Sequence, residues 1–242
     1  MYYKEQVRLH RSVVVTTSWD DGNKSDIELA KLLKKYSIKA TFYVTRDYRY
    51  LEDPLAPHQV IELDEAFEIG AHTLTHPNLL TVGTEAARGE IAGSKRYLEN
   101  LLEHEVSMFC YPRGKYSERV VQLVKSAGFE GARTCDNRDF GVSDDPYLLP
   151  VTLQASNKSP LSTFRIWRRN RLTLKSLVDW ETRAKQMFDL CLETGGIYHL
   201  WGHSSEIQLN GEWEKLENVL KYVSSREGVS YLTNGECIQD LD

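Results

Sequence analysis

Two adjacent aspartates, Asp20 and Asp21, close an apolar run, Val13-Val14-Val15-Thr16-Thr17-Ser18-Trp19. Successive side chains on a strand point to opposite faces. Neighbouring carboxylates therefore serve one task only where the strand ends and the backbone turns, and Gly22 tolerates the positive φ such a turn needs. Paired carboxylates also repel, so they persist where a cation or a shared proton separates their roles. Further along lies His72-Thr73-Leu74-Thr75-His76. One carboxylate with two histidines is a common ligand set for a divalent ion, and the second carboxylate is then free to act as a base.

The elements that must position these groups alternate between short β-like runs and helical patterns. Strands are expected at Val13–Trp19, Lys39–Val44, Glu68–Ala71, Val106–Tyr111, Gly131–Thr134, Leu148–Leu153, Ile197–Trp201 and Val229–Leu232. Helices are expected from Asn23 to Tyr36, Val60 to Phe67, Thr84 to Glu103, Ser117 to Ala127, Thr173 to Glu193 and Glu212 to Ser224, with Asn234 capping a last short helix. This alternation predicts parallel strands with crossover helices. Candidate polar groups follow many different strands, as on the C-terminal face of a barrel, whereas an open sheet concentrates them at one switch point. The expected fold is α/β, a closed barrel of parallel strands with outer helices, in a single domain over residues 1–242.

Composition narrows the function classes. The net charge is −5, so no global basic field invites nucleic acid. Four scattered cysteines without a CxxC pattern suggest neither a disulfide framework nor a cysteine zinc site, and they fit a reducing compartment. The segment Met1–Gln6 carries no apolar run, which predicts neither a signal peptide nor a transmembrane segment and a cytoplasmic location. No GxGxxG or phosphate-binding Gly-rich loop is present.

Taken in order, Ser18-Trp19-Asp20-Asp21-Gly22, His72-Thr73-Leu74-Thr75-His76, Phe109-Cys110-Tyr111-Pro112-Arg113-Gly114 and Leu200-Trp201-Gly202-His203 resemble the successive motifs of the polysaccharide deacetylases, the NodB-homology domain of carbohydrate esterase family four. The resemblance runs over roughly residues 13 to 240. It implies an α/β fold, a distorted (β/α) barrel of about seven parallel strands, TIM-barrel-like, and metal-dependent removal of an N-acetyl group from an amino sugar in a glycan or glycan precursor. By position it implies that Asp21, His72 and His76 hold a divalent metal, usually zinc, with cobalt, nickel or others serving in relatives. It makes Asp20 the general base and His203 the general acid, and it assigns the backbone amide of Tyr111 to the oxyanion.

That chemistry is coherent in its own right. A divalent ion polarises an amide carbonyl and activates water at neutral pH. A carboxylate beside it takes the proton, donors stabilise the tetrahedral oxygen, and a histidine protonates the leaving amine. Trp201, Arg113 and Arg133 are expected to contact substrate, Trp201 as an aromatic wall for a sugar ring. The family arginine two residues before the third-motif proline usually pairs with the base aspartate and is lacking in some relatives; Cys110 stands in its place here, and Arg113 or Arg133 could replace it from elsewhere.

Blander readings stand beside each signal. Asp-Gly pairs also mark ordinary turns. A phosphatase of the haloacid dehalogenase type wants its second aspartate at position 22, where Gly22 stands. Thr73 and Pro77 argue against a helical HExxH zinc motif. His199 shares a strand face with His203 and reads as a packed, hydrogen-bonded histidine, while His10, His58 and His104 read as surface groups. The segment Phe164-Arg165-Ile166-Trp167-Arg168-Arg169-Asn170-Arg171 reads either as a solvated helix face or as a binder for phosphate on a sugar nucleotide, a lipid-linked sugar or a membrane surface. Two other functions stay open: hydrolysis of a different C–N bond, in a formamido sugar or cyclic amide, and a catalytically inactive glycan-binding homologue.

Overall fold

Val13–Asp21 forms β1, the strand around which the rest is arranged. The computed structural model describes residues 12–239 apart from 142, 158 and 159; His10 lies outside them. After β1 come α1 (Asp26–Lys35), β2 (Ala40–Val44), α2 (Pro57–Asp64), β3 (Glu68–Ala71), α3 (Thr84–Leu102), β4 (Met108–Cys110), α4 (Glu118–Ser126) and β5 (Gly131–Asn137). The second half holds β6 (Leu149–Val151), β7 (Leu153–Gln154), α5 (Pro160–Asn170), α6 (Trp180–Thr194), β8 (Gly196–Gly202), α7 (Ser204–Asn210), α8 (Trp213–Val223), β9 (Val229–Tyr231) and α9 (Asn234–Gln239). Helical crossovers put helices on the outer face and side chains fill the inner one. Strands buried on both faces read as continuous apolar runs, as Val13–Trp19 does.

All strand pairings are parallel, in the order β6-β5-β4-β3-β2-β1-β8-β7, with β9 beside β1. The two ends of this path, β6 and β7, are separated by Thr152 alone. Its N–H donates to His199 O at 2.9 Å and its Oγ1 accepts from His199 N–H at 3.0 Å. The sheet is thus nearly closed into the expected distorted barrel. Counted as one ribbon interrupted at Thr152, β6 and β7 reconcile the eight strands of the path with the expected seven.

The bottom of the barrel is filled by polar groups. Asn234, fully buried at the start of α9, accepts from the Tyr43 hydroxyl at 2.8 Å and donates from Nδ2 to Thr16 Oγ1 at 2.8 Å and from its backbone to Thr41 Oγ1 at 2.9 Å. Above it, His199 donates from Nδ1 to Pro150 O at 2.9 Å, so its Nε2 accepts from Ser18 Oγ at 2.8 Å. His199 is a structural histidine of the interior, as expected.

Several boundaries differ from the sequence reading. The helix expected over Thr173–Glu193 is a 3-10 turn at Leu174–Leu177 followed by α6. Asp179 accepts a hydrogen bond from Thr182 N–H at 3.1 Å and restarts the helix there. The helix expected at Val60–Phe67 begins earlier, with Pro57 in its first turn, where a missing N–H costs nothing. The strand expected to end at Trp19 continues to Asp21, because Asp20 and Asp21 pair with Tyr43 and Val44.

Replacing Asn234 with Ala removes partners from buried hydroxyls that no water reaches. Asn234→Ala is expected to lower the unfolding free energy by about 2–4 kcal/mol, measured by urea denaturation.

Candidate active site

The site begins with an unusual turn. Asp21, the last residue of β1, has φ 81, and Gly22 follows at φ 80. The turn therefore starts one residue earlier than Gly22 alone suggests. It breaks the strand alternation, so Asp20 and Asp21 both line the same cavity. The Asp21 carbonyl accepts from Thr45 N–H at 3.3 Å and Thr45 Oγ1 at 2.7 Å, which fixes the turn against the end of β2.

His72 continues β3, its N–H donating to Val44 O at 3.1 Å. Its Nδ1 donates to the Cys110 carbonyl at 2.8 Å, which leaves the Nε2 lone pair facing Asp21. His76 arrives by a tight turn in which Thr73 has φ 66 and His76 φ 57. Glu90 on α3 holds that turn, accepting from Leu74 N–H at 2.9 Å, Thr75 N–H at 2.8 Å and Thr75 Oγ1 at 2.7 Å. The result places Asp21 Oδ1 3.7 Å from His72 Nε2 and 3.6 Å from His76 Nε2.

Those spacings fit a metal better than hydrogen bonds. Two ligands each about 2.1 Å from one tetrahedral ion stand about 3.4 Å apart. Asp21 Oδ1 is buried and has no hydrogen-bond partner. Burial pushes both histidines down to about 4, so they are neutral donors at physiological pH. Asp20, His72 and Cys110 form a second group within ligand reach. It fits less well: Cys110 is fully buried, its thiol is pushed up by burial, and Asp20 already has a counter-ion.

That counter-ion is Arg133. Fully buried on β5, it binds Asp20 through Nη2 and Cys135 Sγ through Nη1 at 3.2 Å, with its guanidinium 4.9 Å from the Trp201 ring and 5.3 Å from the Tyr43 ring. Burial alone would raise the Asp20 pKa, but Arg133, His72 and His203 outweigh it and hold Asp20 below the usual carboxylate range. For Asp21, burial dominates, with the Asp20 charge adding to it, and the pKa is raised. Arg133 fills the place vacated by the family arginine at Cys110. It lies behind the site and does not line the cavity, so it is not placed to touch substrate.

His203 sits at the N-terminus of α7, with Nε2 3.8 Å from Asp21 Oδ2 and Nδ1 3.1 Å from Glu206 Oε1. Burial pulls its pKa down, but Glu206, Asp20 and Asp21 overcome this and raise it above the ordinary histidine value. Asp26, buried near Ser204, is pushed by burial up to about 8 and stands neutral, so it adds no third charge to the aspartate pair.

The cavity measures about 760 Å³, within the range of small-molecule pockets. Trp201 and Arg113 are in its wall, as are Asp20, Asp21, His72, His76 and His203. Arg113 is carried there at φ 60, followed by Gly114 at φ 62, where a Cβ would meet Cys135 Cβ at 2.7 Å. Tyr111 is not brought into the cavity. It is fully buried, its N–H points along the sheet to Arg133 O at 3.4 Å, and its hydroxyl donates to Tyr147 O at 3.1 Å.

Sequence reasoning missed the segment after β2. Tyr48, Tyr50, Leu51, Glu52 and Asp53 form one side of the cavity. Arg46 and Asp47 donate to Leu74 O, and Leu55 donates to Gly22 O, so the loop ties the His72–His76 turn to the Asp21 turn. Tyr48 stacks on His76 with ring centroids 4.4 Å apart. His76 Nδ1 is buried without a hydrogen-bond partner, so this stacking orients the His76 ring, whereas the Cys110 carbonyl both orients His72 and sets its tautomer. Only the aromatic run Tyr48-Arg49-Tyr50 hinted at it. Losing such ring support costs a metal site about tenfold or more in affinity. Tyr48→Ala is expected to weaken zinc binding to the purified protein by about tenfold, measured by competition with a chromophoric chelator, while Tyr48→Phe leaves it unchanged.

The sequence profile of the family described as polysaccharide deacetylase matches residues 8–132, just over half of the chain. Among curated proteins, YxkH of Bacillus subtilis (strain 168), described as a "putative polysaccharide deacetylase", is 26% identical over 134 residues, covering 53% of this chain and 48% of its own length. The chain spans about half the length of the curated relatives it matches. Among solved structures, a Mycobacterium smegmatis protein described in the same words aligns with a TM-score of 0.68 at 15% identity, over 96% of this chain and 91% of that one. The chitin deacetylase of Colletotrichum lindemuthianum aligns with a TM-score of 0.62 at 16% identity, over 94% and 88%. At such identities these structures speak for the fold alone. With the family profile spanning the strand that carries both aspartates and the turn that carries both histidines, the chain belongs to the polysaccharide deacetylase family.

Proposed function

We propose that this protein is a metal-dependent hydrolase that removes the N-acetyl group from an amino sugar in a glycan or glycan precursor. The observation that carries this reading is the approach of Asp21, His72 and His76 to one point in the cavity wall, with Asp20 and His203 beside it. Asp21, His72 and His76 would hold the ion, and zinc suits one carboxylate and two imidazoles, with cobalt or nickel as substitutes. Such an ion, when bound, polarises an amide carbonyl and lowers the pKa of water.

Asp20 is the base in this scheme. Its ion pair with Arg133 keeps it ionised and fixes one oxygen, leaving the carboxylate able to accept a proton from water in the cavity. Here Arg133 is a positioning residue, since it reaches the reaction through Asp20. His203 is the acid that delivers a proton to the leaving amine, and Glu206 keeps it charged. Trp201 offers a sugar ring its aromatic face, and Arg113 is the exposed cation in the wall. The inactive-homologue alternative drew on Cys110, and Arg133 restores the charge that Cys110 lacks. No helix among the described residues is long and apolar enough to cross a membrane. The four cysteines form no disulfide with one another among the described residues.

Metal analysis of the purified protein, run beside an acetate-release assay over a panel of N-acetylated sugars, tests the reading. Metal-dependent acetate release supports it; formate release or no acyl product points to another C–N bond, and binding without turnover to a non-catalytic role. In the same assay Asp20→Asn is expected to lower kcat by about 100-fold or more while metal content stays at the wild-type level. Loss of metal together with activity would reverse the roles given to Asp20 and Asp21.

The acid must be protonated to act, so activity falls as pH rises through the raised pKa of His203. Glu206→Gln removes the largest influence raising that pKa. The alkaline limb of the kcat/KM profile is therefore expected to move to lower pH, with the acid limb unmoved.

A further inference from the structure

The Arg-rich segment singled out in the sequence takes no part in the cavity wall. It forms α5, which packs on the 3-10 turn Leu174–Leu177, and Asn157 Nδ2 joins its approach to Val178 O at 3.0 Å. Thr163 and Ile166 are the buried positions of α5, and Leu161, Phe164, Arg165 and Arg168 turn away from the protein at helical spacing. Four large apolar side chains are exposed on this one unit: Leu161 by 75%, Phe164 by 49%, Leu174 by 72% and Val178 by 75%.

Positive charge predominates on the same surface, with Asp139 beside Arg169 and Asp179 near Lys175 as its acidic neighbours. Residues 146–178 contain six Lys or Arg and no Asp or Glu, in a chain whose net charge is −5. Arg169 is held by Asp139 and Asn137 and serves the fold. Arg165, Arg168, Arg171 and Lys175 are exposed, and none meets a carboxylate among the described residues. An ordinary solvated helix face mixes both signs and carries few large apolar side chains.

We propose that α5 and the adjoining 3-10 turn form a docking surface for an anionic lipid bilayer. Cations interleaved with exposed leucine, phenylalanine and valine suit the headgroup boundary, where basic groups meet lipid phosphate and apolar ones enter the acyl edge. A soluble polyanion would use the charges and leave the apolar groups in water. A second copy of the chain, docked face to face, would set arginine against arginine. Attachment is peripheral, at the surface of the bilayer.

The test is vesicle co-sedimentation of the purified full chain. One set of vesicles is pure phosphatidylcholine and the other contains equal parts phosphatidylcholine and phosphatidylglycerol. Binding is expected to the anionic vesicles only and to weaken with salt. The triple variant Arg165→Gln, Arg168→Gln, Arg171→Gln is expected to weaken it on the order of 100-fold. The double variant Leu161→Ser, Phe164→Ser should weaken it by more than tenfold. All five positions are exposed, so circular dichroism and activity on a soluble substrate should be unchanged. Equal binding to both vesicle types, or no binding to either, overturns the proposal. So does binding that the double variant leaves intact and that soluble heparin displaces, which identifies a polyanion site. A dimer that the double variant dissociates, with no vesicle binding, identifies a self-association surface and also overturns it.

Discussion

The buried ion pair between Asp20 and Arg133 is the interaction on which the site depends. Two adjacent carboxylates in a nearly dry cavity wall repel each other strongly, and burial favours protonating both. Arg133 settles the competition by binding one of them. Asp20 stays ionised with one oxygen held from below, while Asp21 keeps an oxygen with no hydrogen-bond partner, directed at two neutral imidazoles. Removing one member of such a pair leaves an uncompensated charge in the interior, at a cost of about 3–5 kcal/mol. The pair therefore holds the division of roles between the two aspartates and the packing beneath them together. Tyr43 and Trp201 close around the guanidinium, so the aromatic wall of the cavity rests on the same group.

Backbone conformation is the second constraint. Asp21, Thr73, His76 and Arg113 all have positive φ without being glycine, and all four lie at or beside the cavity. Each such residue costs of order 1 kcal/mol or more, so the surroundings must over-determine it. They do so with specific bonds: Thr45 on the Asp21 carbonyl, Glu90 on the Thr73–His76 turn, and the loop after β2 stitched to both. The strain is thereby concentrated where ligand atoms must leave their strands at odd angles to meet.

Much of this was legible in the sequence, and the part that was not has a common cause. Periodicity revealed the alternation of strands and helices, and the motifs revealed Asp20, Asp21, His72, His76 and His203, because each lies just after an apolar run whose pattern is local. Arg133 was visible, with Arg113, as a candidate partner for Asp20, but the choice between the two was not, since a pairing across 113 positions depends on barrel closure and on no local pattern. The loop from Tyr48 to Asp53 has no periodicity, and its role arises from hydrogen bonds to two turns distant in sequence. Thr152 and Asp179 broke elements that looked continuous, because each side chain or backbone bonds outside its own segment. The Tyr111 amide, assigned by motif position, is turned into the sheet by its neighbour on β5.

A closed parallel barrel also explains why polar residues crowd its axis. The strands splay at their C-terminal ends, where the loops build a site, and must be filled at the other end by whatever the chain can bring. Here α9 delivers Asn234 and the Gly235 N–H, which bonds Glu68 at 3.0 Å, and side chains from β1, β2 and β8 complete the network. A Cβ at Gly235 would stand 2.1 Å from Glu68 Oε1, so the glycine lets the Glu68 carboxylate close on this backbone N–H. A fully apolar plug would leave the Thr16 and Tyr43 hydroxyls without partners, each at a desolvation cost. A polar column thus runs from Asn234 through His199 to Ser18, two residues before Asp20 on β1.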